Sequence, residues 1–128
     1  MSSSDYDTIT VEVPIPPKAL HPNSRTHWRA KMAPKKKYRD TCAILGLEAT
    51  KSNRPQWPTA KVRIRWRGKS HQTKRMDQDN AIAALKAAFD GLTDAGVWKD
   101  DKGVSVVEVT FSVDAADPRV EIICECAK

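Results

Sequence analysis

Residues 61–69, KVRIRWRGK, alternate between cations and small or apolar residues. Because successive side chains of a strand point to opposite faces of a sheet, this period of two predicts a β-strand. One face of the strand should pack on a core, and the other should be purely cationic. Edge strands carry lysine merely to prevent aggregation, but three arginines among five cations favour contact with phosphate.

The rest of the chain alternates between strand-like and helix-like segments around this strand. A period of two recurs in three other places, and a helical pattern occurs twice. Four prolines in residues 14–28 predict a long loop there. The order is β-α-β-α-β-β, which predicts a small α/β (α+β) domain with a mixed sheet of about four strands. We expect the last two strands to be antiparallel neighbours. The predicted segments are 8–14, 35–51, 61–69, 79–95, 104–113 and 119–126.

The second helix has the clearest core-facing stripe. Ile82, Leu85, Phe89 and Leu92 recur at spacings of three and four residues. Gly96 follows at the position where helices commonly end. In the first helix the apolar face is less regular, with Tyr38, Cys42, Ile44 or Leu45, and Leu47.

Length and composition indicate one globular domain over residues 1–128, with residues 1–7 as a flexible N-terminus. Hydrophobic residues make up 40% and charged residues 30% of the chain. No apolar run reaches the roughly 18 residues of a membrane span. No secretion signal precedes the first strand, and three cysteines form no disulfide framework. These features favour a cytoplasmic protein.

The net charge of +6 is distributed in blocks. Residues 18–39 and 61–75 contain Lys and Arg but no acidic residue, whereas residues 77–101 contain six aspartates and two lysines. A basic surface beside an acidic cluster suits a polyanion held over metal ions. Solvated charged faces are the simpler alternative.

Asp77 and Asp79 are two residues apart. In an extended chain both carboxylates point the same way, with Cα atoms about 7 Å apart, and can share hard cations such as Mg²⁺. Alternatively, Asp79 caps the following helix, which leaves Asp77 unexplained. An EF-hand is excluded, because the required Gly and closing Glu are missing.

Lys86 and the pair Asp100–Asp101 also stand near this helix. Asp79, Lys86 and Asp90 lie within about 20° of one line along the predicted helix, and a simple ion pair with Asp90 would explain Lys86. The Asp100–Asp101 loop is either a turn or, if it folds back beside the helix start, the source of a third metal ligand. No Cys/His cluster suggests zinc, and no Gly-rich loop suggests a nucleotide cofactor.

Residues 77–104, DQDNAIAALKAAFDGLTDAGVWKDDKGV, resemble the RusA family of Holliday junction resolvases. The similar pattern is D-x-D-N, then K-A-A-F-D-x-L-T, then A-G-x-W-x-D-D. Weaker similarity extends to VPIPPKALHPN at residues 13–23 and YRD at residues 38–40. The one departure is Lys86, which follows the second aspartate by seven residues rather than the four of the family type member.

This resemblance implies a Mg²⁺-dependent endonuclease, with Mn²⁺ as a possible substitute, acting as a homodimer on four-way or branched DNA. Asp77, Asp79 and Asp101 match the metal ligands, and Lys86 matches the catalytic lysine. The setting is the bacterial cytoplasm, with a host, phage or prophage gene. A non-catalytic junction-binding protein with the same fold, or a less selective branched-DNA nuclease, remains the alternative. The predicted DNA-backbone contacts are Arg63, Arg65, Arg67, Lys69, Lys74, Arg75, Lys35, Lys36 and Lys37.

Overall fold

A computed structural model describes residues 8–22, 24, 25 and 27–127, so the predicted flexible segment 1–7 lies outside the described residues. The described chain forms four strands and three helices, joined in part by short 3₁₀ turns at Lys18–Leu20, His71–Arg75 and Asp101–Gly103. This confirms the predicted class. In chain order the elements are β1 (Thr8–Val13), α1 (Trp28–Ala49), β2 (Ala60–Gly68), α2 (Gln78–Ala84), α3 (Lys86–Asp94), β3 (Val104–Val113) and β4 (Arg119–Cys126).

The four strands form one mixed sheet in the order β1-β4-β2-β3. β4 is antiparallel to β1 and β2, whereas β2 and β3 are parallel. The prediction that β3 and β4 are neighbours is therefore wrong. Residues 114–118 cross the end of β2 instead, where the Asp114 N–H donates to the Gly68 carbonyl at 2.9 Å. Five residues easily span the two strand spacings, about 10 Å, that this crossing requires.

The core lies on one face of the sheet, under α1 and α3. Val62, Ile64 and Trp66 of β2 are buried, as the alternation predicts. Val120 and Ile122 of β4 are fully buried beside them, as expected for a central strand. The opposite face is polar and charged, so the sheet is covered on one side only.

Two glycines allow α1 and α3 to approach each other closely. A Cβ at Gly91 would overlap the Arg39 carbonyl oxygen of α1. A Cβ at Gly46 would lie 2.9 Å from the Ala95 Cβ. Bidentate contacts from Arg39 to Asp94, at 2.7 and 2.9 Å, add a polar link across the same helix pair. This close crossing fixes α3, including its first residue Lys86, relative to the core.

α1 begins seven residues earlier than predicted, at Trp28, and contains Pro34. His27 caps it, its Nδ1 accepting from the Arg29 N–H at 3.2 Å. Pro34 removes one helical hydrogen bond but lies in solvent-facing turns, where neighbouring groups can be hydrated. Tyr38 and Cys42 are buried as predicted, whereas Ile44 is 59% exposed.

The predicted helix over 79–95 is divided at Leu85, whose φ and ψ are −92° and 4°. The Leu85 N–H bonds to the carbonyls of both Ala81 and Ile82, at 3.1 Å each, which tightens the last turn of α2. The apolar stripe is nevertheless confirmed, because Leu85, Phe89 and Leu92 are buried. None of the described helices combines the length and apolar character needed to cross a bilayer.

Candidate active site

Asp77 caps the N-terminus of α2. Its Oδ1 accepts from the backbone N–H groups of Asp79 at 2.7 Å and Asn80 at 3.3 Å. The cap is thus Asp77 rather than Asp79, and the two carboxylates do not share one extended stretch. Only one oxygen of Asp77 is used in this way, so the other remains available for a ligand.

Asp79 lies in the first turn of α2 and is exposed. No ion pair or side-chain hydrogen bond involves its carboxylate within the residues that the structure describes. A negative charge at this place is favoured by the positive end of the helix dipole. Asp77 and Asp79 therefore form an adjacent carboxylate pair at one helix start.

Asp101 begins the 3₁₀ turn before β3 and faces the start of α3. Its Oδ2 lies 3.9 Å from Lys86 Nζ, with the Lys86 side chain 68% exposed. Lys86 thus pairs with Asp101 and not with Asp90, the alternative partner at i+4. The loop does fold back onto the helix, as the third-ligand interpretation requires, but at α3 rather than at the start of α2.

The neighbouring Asp100 has a structural role. Its Oδ1 accepts from the Lys102 N–H at 3.0 Å and caps the 3₁₀ turn. That hydrogen bond, together with one to the Asp101 side chain, holds the pKa of the Asp100 carboxyl below its usual value. Asp100 therefore stabilises the turn that presents Asp101.

The carboxylates occupy two separate places along the α2–α3 segment. Asp79 and Lys86 are seven residues apart, or about 10 Å along a helix axis. In the described part of the chain, no three Asp, Glu, His or Cys side chains are grouped closely enough to hold one ion. The ligand chemistry still fits Mg²⁺, which binds oxygen atoms and commonly uses one or two carboxylates with waters and substrate phosphate. Convergence of all three aspartates stays a prediction.

The cationic face of β2 is partly neutralised by its neighbour β4. Arg63 pairs with Glu125 at 3.1 Å and Arg67 with Glu121 at 3.2 Å. The outer face of β2 itself carries only cations, as predicted, but the central position of β4 was not expected and brings acidic partners beside them. Arg65 is exposed and has no acidic partner among the described residues.

The other predicted DNA contacts lie on two exposed surfaces. Lys69, Lys74 and Arg75 lie in the segment between β2 and α2, immediately before Asp77. Lys35, Lys36 and Lys37 are exposed on α1, where Lys36 pairs with Asp40 at 2.9 Å. Contact of these residues with DNA stays a prediction.

One cationic group was not identified from the sequence. Lys31 lies on α1 one turn before Lys35, and both line a groove of about 190 Å³ that Lys86 also lines. The spacing of four residues could have indicated it. It was overlooked because the helix was expected to begin at residue 35.

The sequence of the chain matches the model of a known family. The sequence profile of the family "Endodeoxyribonuclease RusA" matches residues 10–125. The chain belongs to the RusA endodeoxyribonuclease family. The match spans nearly all of the sheet and every helix, so the resemblance first seen in residues 77–104 is confirmed. Membership of the RusA family implies Holliday junction resolvase activity. A comparison with individually curated proteins finds no match.

Proposed function

We propose that this RusA-family protein is a Mg²⁺-dependent endonuclease that resolves four-way DNA junctions in recombination and repair. The observation that carries the proposal is the contact between Lys86 and Asp101, which brings a cation and a carboxylate together at the start of α3, the helix that follows the one Asp77 caps. A helix start with two carboxylates and a third carboxylate on the returning loop supply only oxygen ligands. This is the ligand type that Mg²⁺ or Mn²⁺ selects.

Asp77, Asp79 and Asp101 are the residues that would hold divalent ions. When bound, such an ion supplies a water of lowered pKa and charge stabilisation at the leaving oxygen. The chain prepares its ligands by local structure: Asp77 is fixed by its cap hydrogen bonds, and the Asp100 turn presents Asp101. Asp79 projects from the same turn of α2 that Asp77 caps.

Lys86 would stabilise negative charge on the phosphate undergoing attack. Its distance of 3.9 Å from Asp101 is long for an ion pair, and the ammonium is largely exposed. It therefore retains hydrogen-bond donors for a phosphate oxygen. Such donors contribute most where charge develops during the reaction.

A homodimer would match a substrate with near two-fold symmetry. A closed two-fold dimer presents two identical sites, which suits hydrolysis of two opposed strands. The chain has one candidate site per copy, so paired cleavage by this mechanism requires two copies.

The DNA backbone would be bound by cationic side chains that form no ion pair with the described residues. Arg65, Lys69, Lys74 and Arg75 have no ion pair within the described residues and lie on β2 or just after it. Each phosphate contact adds to a steep dependence of affinity on salt.

A non-catalytic junction-binding protein is the second candidate. It is favoured by the position of Asp77 and Asp79 at the start of α2, whereas Asp101 contacts Lys86 at the start of α3. The two are distinguished by incubating a synthetic four-way junction and a linear duplex with the protein, in Mg²⁺ and in EDTA. The endonuclease predicts symmetrical cuts in the junction only with Mg²⁺. Tight junction binding without cleavage in Mg²⁺ or Mn²⁺ would support the binding protein.

A further inference from the structure

A narrow cationic groove lies between α1 and the bend that joins α2 to α3. Its charged walls are Lys31 and Lys35 on one side and Lys86 on the other, with His21 at one edge. None of the described residues that line it is acidic, and most of its remaining surface is made of alanine, leucine and proline. Charges over such an apolar surface interact more strongly than charges in bulk water.

The two lysines of α1 are not neutralised. Lys31 and Lys35 are one helical turn apart and point to the same side of α1. Neither has an ion pair with any residue that the structure describes, in contrast to Lys36, which is held by Asp40. Lys31 is partly buried, whereas Lys35 is exposed.

The groove lies next to both parts of the candidate active site. Ala83, in its wall, is four residues after Asp79 and therefore lies one turn along the same helix face. Lys86, in the same wall, contacts Asp101 at 3.9 Å. The groove is thus lined both by a residue one helical turn from Asp79 and by the lysine that contacts Asp101.

We propose that this groove binds one DNA backbone phosphate beside the bond that is cut, through Lys31 and Lys35 with Lys86 on the facing wall. This inference rests on the proposed endonuclease function. The groove is small, at about 190 Å³, and the charged side chains that line it are the three lysines, so it suits an anionic group such as a phosphate. Lysine serves as a point-charge phosphate ligand. Such a contact fixes where the strand lies, without reading its sequence.

The test compares two double variants that lose the same charge. Lys31→Gln with Lys35→Gln removes the two groove cations of α1, and Lys51→Gln with Lys99→Gln removes two exposed lysines that lie outside the groove and off the cationic face of β2. Junction affinity is measured in EDTA at several salt concentrations, and cleavage is measured in Mg²⁺. Loss of one phosphate contact lowers the slope of log affinity against log salt by about 0.9.

The groove variant should show this fall in slope, an increase in Kd of about tenfold and less uniform cut positions, because one fixed phosphate is lost. Lys31→Arg with Lys35→Arg should restore the affinity, and thermal melting verifies that each variant is folded. Equal effects of the groove and control variants, with wild type cleaving normally, would overturn this inference alone. Wild type that neither binds nor cleaves the junction would overturn the proposed function and the inference with it.

Discussion

Lys86 Nζ lies 3.9 Å from Asp101 Oδ2, and this contact joins the start of α3 to the turn that precedes β3. The returning loop is anchored by Trp98, which is 1% exposed and packs edge-to-face on Phe89 with ring centroids 6.1 Å apart. The indole N–H of Trp98 also donates to Thr93 Oγ1 at 2.7 Å. The core therefore determines where Asp101 lies relative to α3.

Replacing Lys86 should affect catalysis far more than folding. We expect Lys86→Ala to reduce kcat about 100-fold, the usual effect of removing one group that stabilises developing charge. The free energy of unfolding should change by less than about 1 kcal/mol, because the ion pair is exposed. Single-turnover cleavage and urea denaturation measure the two effects. Lys99→Ala, which removes an exposed lysine near the same loop, is the control, and an equal loss of rate in both variants would contradict the role of Lys86.

Substitutions of Asp77 should separate its cap from its proposed metal-binding role. Asp77→Ala loses the cap hydrogen bonds and should reduce the free energy of unfolding by about 1 kcal/mol. Asp77→Asn keeps a good cap but loses the charge, so it should melt like wild type. Both variants should lose Mg²⁺-dependent cleavage. An Asp77→Asn variant that cleaves at the wild-type rate would limit Asp77 to capping.

The helix crossing predicts a ranking of two glycine substitutions. A Cβ at Gly91 meets the Arg39 carbonyl oxygen, which is fixed backbone, whereas at Gly46 it meets the side chains of Leu92 and Ala95. Gly91→Ala should therefore lower the free energy of unfolding by about 1–3 kcal/mol, more than Gly46→Ala does. Alanine gains up to about 1 kcal/mol of helix propensity at either position, so the difference between the two variants is the informative quantity. Thermal or urea denaturation measures it, and a Gly91→Ala variant as stable as wild type would contradict the close crossing.

We expect the Glu121 carboxylate to make a pH-dependent contribution to the free energy of unfolding. Burial raises the pKa of this carboxyl, but contacts with Arg67 and Arg119 outweigh burial and leave the pKa below the ordinary 4.5. Its contribution is therefore present above about pH 4.5 and is lost as the pH falls through the folded-state pKa. Glu121→Gln should cost about 1–3 kcal/mol of unfolding free energy at pH 7.

At pH 3 the difference between wild type and Glu121→Gln should be smaller. Urea denaturation at the two pH values measures this change. Glu108→Gln, an exposed residue without an ion pair in the described part of the chain, should change stability by less than about 0.5 kcal/mol at both. A Glu121→Gln effect that is the same at pH 3 and pH 7 would exclude the ionised carboxylate as its cause.

Much of the fold could be predicted from periodic patterns in the sequence. The alternation in residues 61–69 predicted which side chains of β2 are buried, and the stripe from Ile82 to Leu92 predicted the face of α3. In each pattern, apolar residues recur at the period of the strand or helix and so mark its buried face. The position of β4 between β1 and β2 was not predictable in this way, since no local repeat states which strands are neighbours.

The site was predicted less completely than the fold. The sequence indicated the carboxylates, but it could not show that Asp77 rather than Asp79 is the cap, because that depends on where α2 begins. Lys31 was missed because the helix was expected to begin at residue 35, whereas α1 begins at Trp28. Neutralisation of Arg63 and Arg67 depends on Glu125 and Glu121 of β4, which reach them only through the sheet order.

The most direct test of the central claim is cleavage of a synthetic four-way junction in Mg²⁺ by wild type and by Asp79→Asn. The Asp79 side chain caps no helix and has no ion pair within the described residues. Its replacement by Asn should therefore leave folding and junction binding intact. We expect symmetrical cutting by wild type and loss of cutting by Asp79→Asn, with both proteins binding the junction. Equal cleavage by the two proteins, or binding by both without any cleavage, would contradict a metal-dependent endonuclease built on these aspartates.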